Sequence, residues 1–312
     1  MSAVISPRPA AVAAATADAI DFARRFMPPV LTPLWHTRAH ATLTPAQQLR
    51  YNQIHALYFN EQTMFFERAL AENVLGDFLA GPLRAELREE LENFLTEEQR
   101  HSAMFHRLNQ LCAPEIYRAR EFHFIAVPAA AGRLLAFISR RPRRFPLLLW
   151  LMHVQEERAL YFGRTFLKSG DDLEPHFVAV QKRHLADEAG HVRCDEILLE
   201  EVWPKLSRPA RWLNARLLGW MIGEYLSTPR RAGVRVLEAL VAEFPELRPR
   251  LPELRGQLLG LANDREFRRS LYSPENVPAT FRRFDAWPEF RGLRRVMPGY
   301  TPGTNTSPAA NS

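Results

Sequence analysis

Glu-x-x-His occurs twice in this chain, at Glu98-Gln-Arg-His101 and at Glu188-Ala-Gly-His191. On an α-helix, residues three apart project from one face, one turn apart. A carboxylate and an imidazole so placed can grip one metal ion, or the carboxylate can bridge to a second. A chain of this composition yields roughly one such pair by chance, so the motif gains weight only from its setting. The second pair lies in HLADEAGH, residues 184–191, which adds His184. Positions 184, 188 and 191 fall within about 60° on one helix face. Alone, this octapeptide reads equally well as a charged, solvated surface. The rest of the chain has to supply an opposite wall.

The elements that must position these residues are helical. Strand signals are weak throughout, and long segments without internal Pro or Gly carry helical spacing. Thr44 and Pro45 open a long helix over 44–75 by capping and first-turn preference. A second covers 83–111, a third roughly 117–139, a fourth 145–170 and a fifth 175 to about 203, stopped by Pro204. Another runs from about 208 to 226, and 228–297 reads as shorter helices broken by Pro. The expected fold is all-α, a four-helix bundle with additional N- and C-terminal helices. Residues 13–297 are expected to form one helical domain, with its metal-binding core at about 45–205. The small, polar and Pro-rich ends, 1–12 and 298–312, are expected to be disordered.

A faint repeat ties the two halves together. FERAL occupies residues 66–70 and EERAL residues 156–160. Glu67 precedes Glu98 by 31 residues, and Glu157 precedes Glu188 by 31 residues. Each half thus supplies a helix glutamate, a turn and a returning ExxH. A two-metal carboxylate bundle uses this arrangement, one Glu from each of two helices and ExxH from each of the other two. The repeat selects Glu67 and Glu157. Helix phase leaves Glu61 and Glu156 open as alternates, since Glu61 lies on the apolar stripe of Ile54, Leu57, Tyr58 and Phe65. His184 is either a further ligand or a histidine that steadies a carboxylate from outside the ligand set. Asp187 rotates off the ligand face and is read as an acceptor for a ligand histidine on a neighbouring helix. The imidazole–carboxylate donor set suits iron, with manganese as a substitute.

Glu67, Glu98-x-x-His101, Glu157 and His184-x-x-x-Glu188-x-x-His191 together resemble the p-aminobenzoate N-oxygenase family of non-haem di-iron oxygenases. ExxH alone is shared across ferritin-like proteins; the HxxxExxH run is the more specific mark. The resemblance implies a ferritin-like bundle holding two irons, with O₂ as co-substrate and an external electron donor. It implies oxidation of a small molecule, typically an amine, to a hydroxylamine or nitro group. Glu98 and Glu188 would then be shared carboxylates, His101, His184 and His191 terminal ligands, and Glu67 and Glu157 would complete the set. A hydroxylase or desaturase, or an iron oxidase without organic substrate, is the competing expectation.

Composition narrows the remaining classes. The net charge is +6, much of the excess lying in scattered Arg runs such as SRRPRRF, residues 139–145. No nucleic-acid module accompanies them, so no nucleic-acid partner is expected. The longest apolar run, FPLLLWLMHV at 145–154, is about half a membrane span, so no membrane partner is expected. Cys112 and Cys194 lack CxxC partners and no cleavable leader is evident, which points to the cytoplasm. A homodimer is the default assembly.

Overall fold

The computed structural model describes residues 19–228 and 230–304. The chain enters its first long helix, α1 (Pro45–Phe66), through a reciprocal cap. The Thr44 hydroxyl accepts from the Gln47 N–H, and the Gln47 side chain accepts from the Thr44 N–H, with Pro45 in the first turn. A π turn (Glu67–Ala71) widens the helix before α2 (Glu72–Leu79). The long α3 (Ala85–Cys112) returns and stops at Ala113-Pro114. After the short α4 (Ala129–Ser139), α5 (Leu147–Lys168) and α6 (Pro175–Val202) form the second long hairpin. The buried Glu174 carboxylate caps α6 by accepting from His176 and Phe177 N–H, at 2.8 and 3.1 Å.

α1 packs against α3, α5 against α6, and α3 against α6. The α5–α6 approach is close enough to require glycine. A Cβ on Gly163 would lie 2.9 Å from the Leu185 Cβ. The later helices, α7 (Arg208–Tyr225), α8 (Arg230–Glu243), α9 (Leu251–Gly260), α10 (Arg265–Leu271) and α11 (Pro278–Asp285), wrap this bundle. Two apolar cores result. One centres on Trp150, Trp203, Phe284 and Phe290, the other on Phe26, Tyr51, Leu57, Phe177 and Leu237. Burying each such side chain contributes roughly 1.5–3 kcal/mol. No strand forms among the described residues; Arg25 and Leu173 make an isolated bridge. The all-α bundle is therefore as expected.

Two stretches differ from the sequence reading. The third helix does not span 117–139. Residues 118–128 form turns, bends and irregular backbone, because the N–H groups of His123, Phe124 and Ile125 turn to the buried Glu61 carboxylate instead of a helical ladder. The C-terminal segment is docked as far as Thr304. Tyr300 is buried against Phe281 and Phe284, and its hydroxyl donates to Asp285 at 2.9 Å. The expected disorder of 1–12 and of the last residues of the tail, 305–312, concerns positions outside the described residues.

Candidate metal centre

Four elements bring seven ionisable side chains into one buried cluster. The π turn after α1 contributes Glu67, α3 contributes Glu98 and His101, α5 contributes Glu156, and α6 contributes His184, Glu188 and His191. All seven are buried. Donor atoms of Glu98, His101, Glu188 and His191 lie within 4.8 Å of one another, and so do those of Glu67, His101 and His184. His101 belongs to both groups, which marks two adjoining positions where a cation could sit.

Glu98 and Glu188 occupy the middle. Glu98 Oε1 lies 3.1 Å from His191 Nδ1 and 3.8 Å from His101 Nδ1. Glu188 Oε1 lies 2.8 Å from His184 Nε2, 3.7 Å from His191 Nδ1 and 3.8 Å from His101 Nδ1. Glu67 Oε1 stands 3.6 Å from His184 Nε2 at one end. Glu156 Oε2 stands 3.9 Å from His191 Nδ1 at the other.

The atoms facing the centre lack good hydrogen bonds. Glu67 Oε1, Glu98 Oε1, both oxygens of Glu188, and Nδ1 of His101 and His191 are buried and, close as some of them lie, make no hydrogen bond of acceptable geometry. Leaving such groups unmet costs about 1–3 kcal/mol each, more where they are charged. Their outward atoms, by contrast, are well held. Ser102 donates to Glu67 Oε2 at 2.6 Å. His101 Nε2 meets Asp187 Oδ2 at 2.9 Å, and His191 Nε2 meets Glu97 Oε2 at 3.0 Å. Phe94 stacks on the His191 ring at 3.9 Å, and Phe105 meets the His184 ring edge-on. Orphaned inner atoms with anchored outer ones are what a hard or borderline cation requires of carboxylates and imidazoles.

Electrostatics without a cation reflect the crowding. Burial opposes a charge on His184, yet Glu188 and Glu67 hold its pKa up at about 10. His191 is likewise raised against burial by Glu156, Glu188 and Glu98. Burial and the charges of Glu188 and Glu98 push Glu156 well above the usual carboxylate range. Asp195, one turn beyond His191, is fully buried with both oxygens unpartnered. Burial raises it well above its ordinary value, despite the pull of His191.

The sequence-selected residues divide. Glu67, Glu98, His101, His184, Glu188 and His191 converge, and Asp187 reaches His101 across the bundle. Glu157 does not join them. Its carboxylate accepts from the N–H groups of Ala279 and Thr280, at 2.8 and 2.6 Å, at the start of α11. Glu156 faces the cluster instead, on the stripe of Met152, Gln155, Ala159 and Phe162 that lines the adjoining cavity. The repeat misleads here because the two helices are wound differently. The first ERAL lies in a π turn, the second in unbroken α-helix. Glu61 also faces elsewhere, taking Tyr117 Oη–H and three backbone N–H groups of residues 123–125. Sequence reasoning missed Glu97 as the counterpart of Asp187. The available signal was that an acid directly precedes the glutamate of both ExxH motifs.

A cavity of about 170 Å³ adjoins the centre. Glu67, Glu98, Glu156 and His184 form its floor, and Phe59, Phe66, Tyr161 and Phe162 supply aromatic walls. An apolar space of about 150 Å³ accepts a benzene ring, so a small ring fits here. Val30, Tyr225 and Ser270 are the exposed lining residues, and they mark the mouth.

Fold and cluster together define a helical-bundle protein with a buried carboxylate–imidazole centre beside a small-molecule cavity. Residues 14–251 match the family described as P-aminobenzoate N-oxygenase AurF, and the chain belongs to that oxygenase family. The match runs beyond 45–205, taking in the N-terminal segment, α7 and α8. No curated protein matches the chain.

Proposed function

We propose that this protein is a non-haem di-iron oxygenase that uses O₂ to oxidise a small organic amine at nitrogen. The observation that carries the reading is the set of buried donor atoms on Glu67, Glu98, His101, Glu188 and His191 that make no well-formed hydrogen bond, beside a ring-sized cavity that Glu67 and Glu98 also line. Glu67, Glu98, His101, Glu156, His184, Glu188 and His191 are the residues that would hold the two irons. When bound, the irons supply activation of O₂ and the oxidising equivalents for oxygen transfer, with electrons from an external donor. The protein's own share is positional. Asp187 and Glu97 fix the ring orientation of His101 and His191. Phe59, Phe66 and Phe162 exclude water and seat an aromatic body against the floor. Neutral His55, buried in the cavity wall with its pKa lowered to about 3 by burial, adds no charge there.

The test measures iron per chain, then product after the reduced, iron-loaded protein meets O₂ and a panel of arylamines. About two irons per chain and a hydroxylamine or nitro product are expected. Iron oxidation without any oxidised amine would favour an iron oxidase, and protein that binds no iron would end the reading.

A further inference from the structure

The outer face of α7 is unusually apolar for a helix in water. Trp212, Leu213, Trp220 and Tyr225 are each more than half exposed, at 55, 52, 55 and 54%. At 100° per residue, Trp212, Leu213, Arg216 and Trp220 fall within about 100° of arc. Scattered exposed hydrophobics need no explanation, but a contiguous stripe marks an interaction surface. This stripe leads to the cavity. Trp220 meets the Tyr225 ring edge-on at 5.4 Å; Tyr225 stands at the mouth, and Leu226 and Ser227 beside it line the cavity.

Its charge selects the partner. Arg208 and Arg216 are exposed on α7 and meet no carboxylate among the described residues; the Arg216 guanidinium lies over the Trp212 ring. The acid on this side, Glu224, already pairs with Arg230 at 3.2 Å. Arg231 and Arg269, also exposed, flank the mouth segments in sequence. Facing two copies of this surface would set cation against cation. Anionic headgroups would instead neutralise the arginines while Trp and Tyr rings settle at the boundary between apolar and wet layers.

We propose that α7 is an interfacial helix that docks the protein on an anionic lipid surface, with the cavity mouth at that surface. No helix among the described residues is long and apolar enough to cross a membrane. The expectation of no membrane partner rests on that absence of a span, whereas a surface helix needs only a stripe. The inference stands apart from the metal reading, since it uses no residue of the cluster.

The test is co-sedimentation of the full chain with vesicles of phosphatidylcholine alone or mixed with phosphatidylglycerol, at low and high salt. Binding to the mixed vesicles is expected, weakened by salt, with tryptophan emission moving to shorter wavelength. Trp212→Ser combined with Trp220→Ser should lower binding at least roughly tenfold. Arg208→Glu with Arg216→Glu should lower it while leaving the apolar stripe intact, and serves if the tryptophan variant does not fold. Equal binding to both vesicle types, or double variants that sediment like the parent, would overturn the proposal. So would a dimer by light scattering whose tryptophan emission vesicles do not change.

Discussion

His101 Nε2 lies 2.9 Å from Oδ2 of Asp187, so the acid preceding one motif glutamate orients the histidine of the other motif. Glu97 does the reverse for His191 at 3.0 Å. The two long hairpins therefore brace each other's imidazoles. Arg100 adds a 2.6 Å contact to the same Asp187 oxygen, and with His101 it lowers the carboxyl's pKa against the effect of burial. Asp187→Ala or Glu97→Ala should weaken iron binding by roughly 10–100-fold with the helical fold kept. Competition with a chelator measures this, and unchanged retention of iron in both variants would refute the bracing role.

The neighbouring pair Glu156 and Glu157 separates metal binding from stability. Glu156→Ala removes a cluster carboxylate and should lower iron per chain. Glu157→Ala should leave iron unchanged and cost about 1–2 kcal/mol, the scale of a lost helix cap, since Ala279 and Thr280 lose their acceptor. Iron content and urea midpoints on both variants decide it. Iron loss in Glu157→Ala with retention in Glu156→Ala would restore the choice suggested by the repeat.

The limits of the sequence reading have physical causes. Element types and the two ExxH faces were legible because they depend on local periodicity and local caps. The register of the single glutamates was not, because a π turn breaks the helical count at Glu67. Glu61 shows the same limit from the other side. Its place on the apolar stripe correctly says that it is buried, but its partners are Tyr117 and the backbone of 123–125, some sixty residues away. Only tertiary structure reveals that a carboxylate serves to satisfy a loop. The cavity draws on the N-terminal segment, α7 and α10 together, and no short motif records that juxtaposition.

The protonation of the cluster sets the pH dependence of metal uptake. His184, with a pKa of about 10, and His191, raised further, both carry protons at neutral pH when no cation is bound, and burial shifts Glu156 toward its protonated form. A metal ion must displace those protons, so its affinity should rise with pH through the neutral range. Calorimetric titration with manganese in buffers of differing ionisation enthalpy should show net proton release. A heat independent of the buffer would contradict this account.

Acid stability follows from two histidines outside the cluster. His55 and His153 are buried with both ring nitrogens unpartnered, and burial lowers their pKa values to about 3 and about 4 from 6.5. Below pH 6.5 the unfolded chain takes up two protons that the native state refuses. Their contribution is therefore complete above pH 6.5 and is lost as pH falls, by up to about 1.4 kcal/mol per pH unit for each. Near pH 4 His153 protonates in the folded protein and its share of the loss stops growing. His153→Gln, which cannot take up that proton, should flatten the decline in urea midpoint between about pH 6.5 and pH 4 relative to the parent. Parallel curves for parent and variant would show that His153 is not the source.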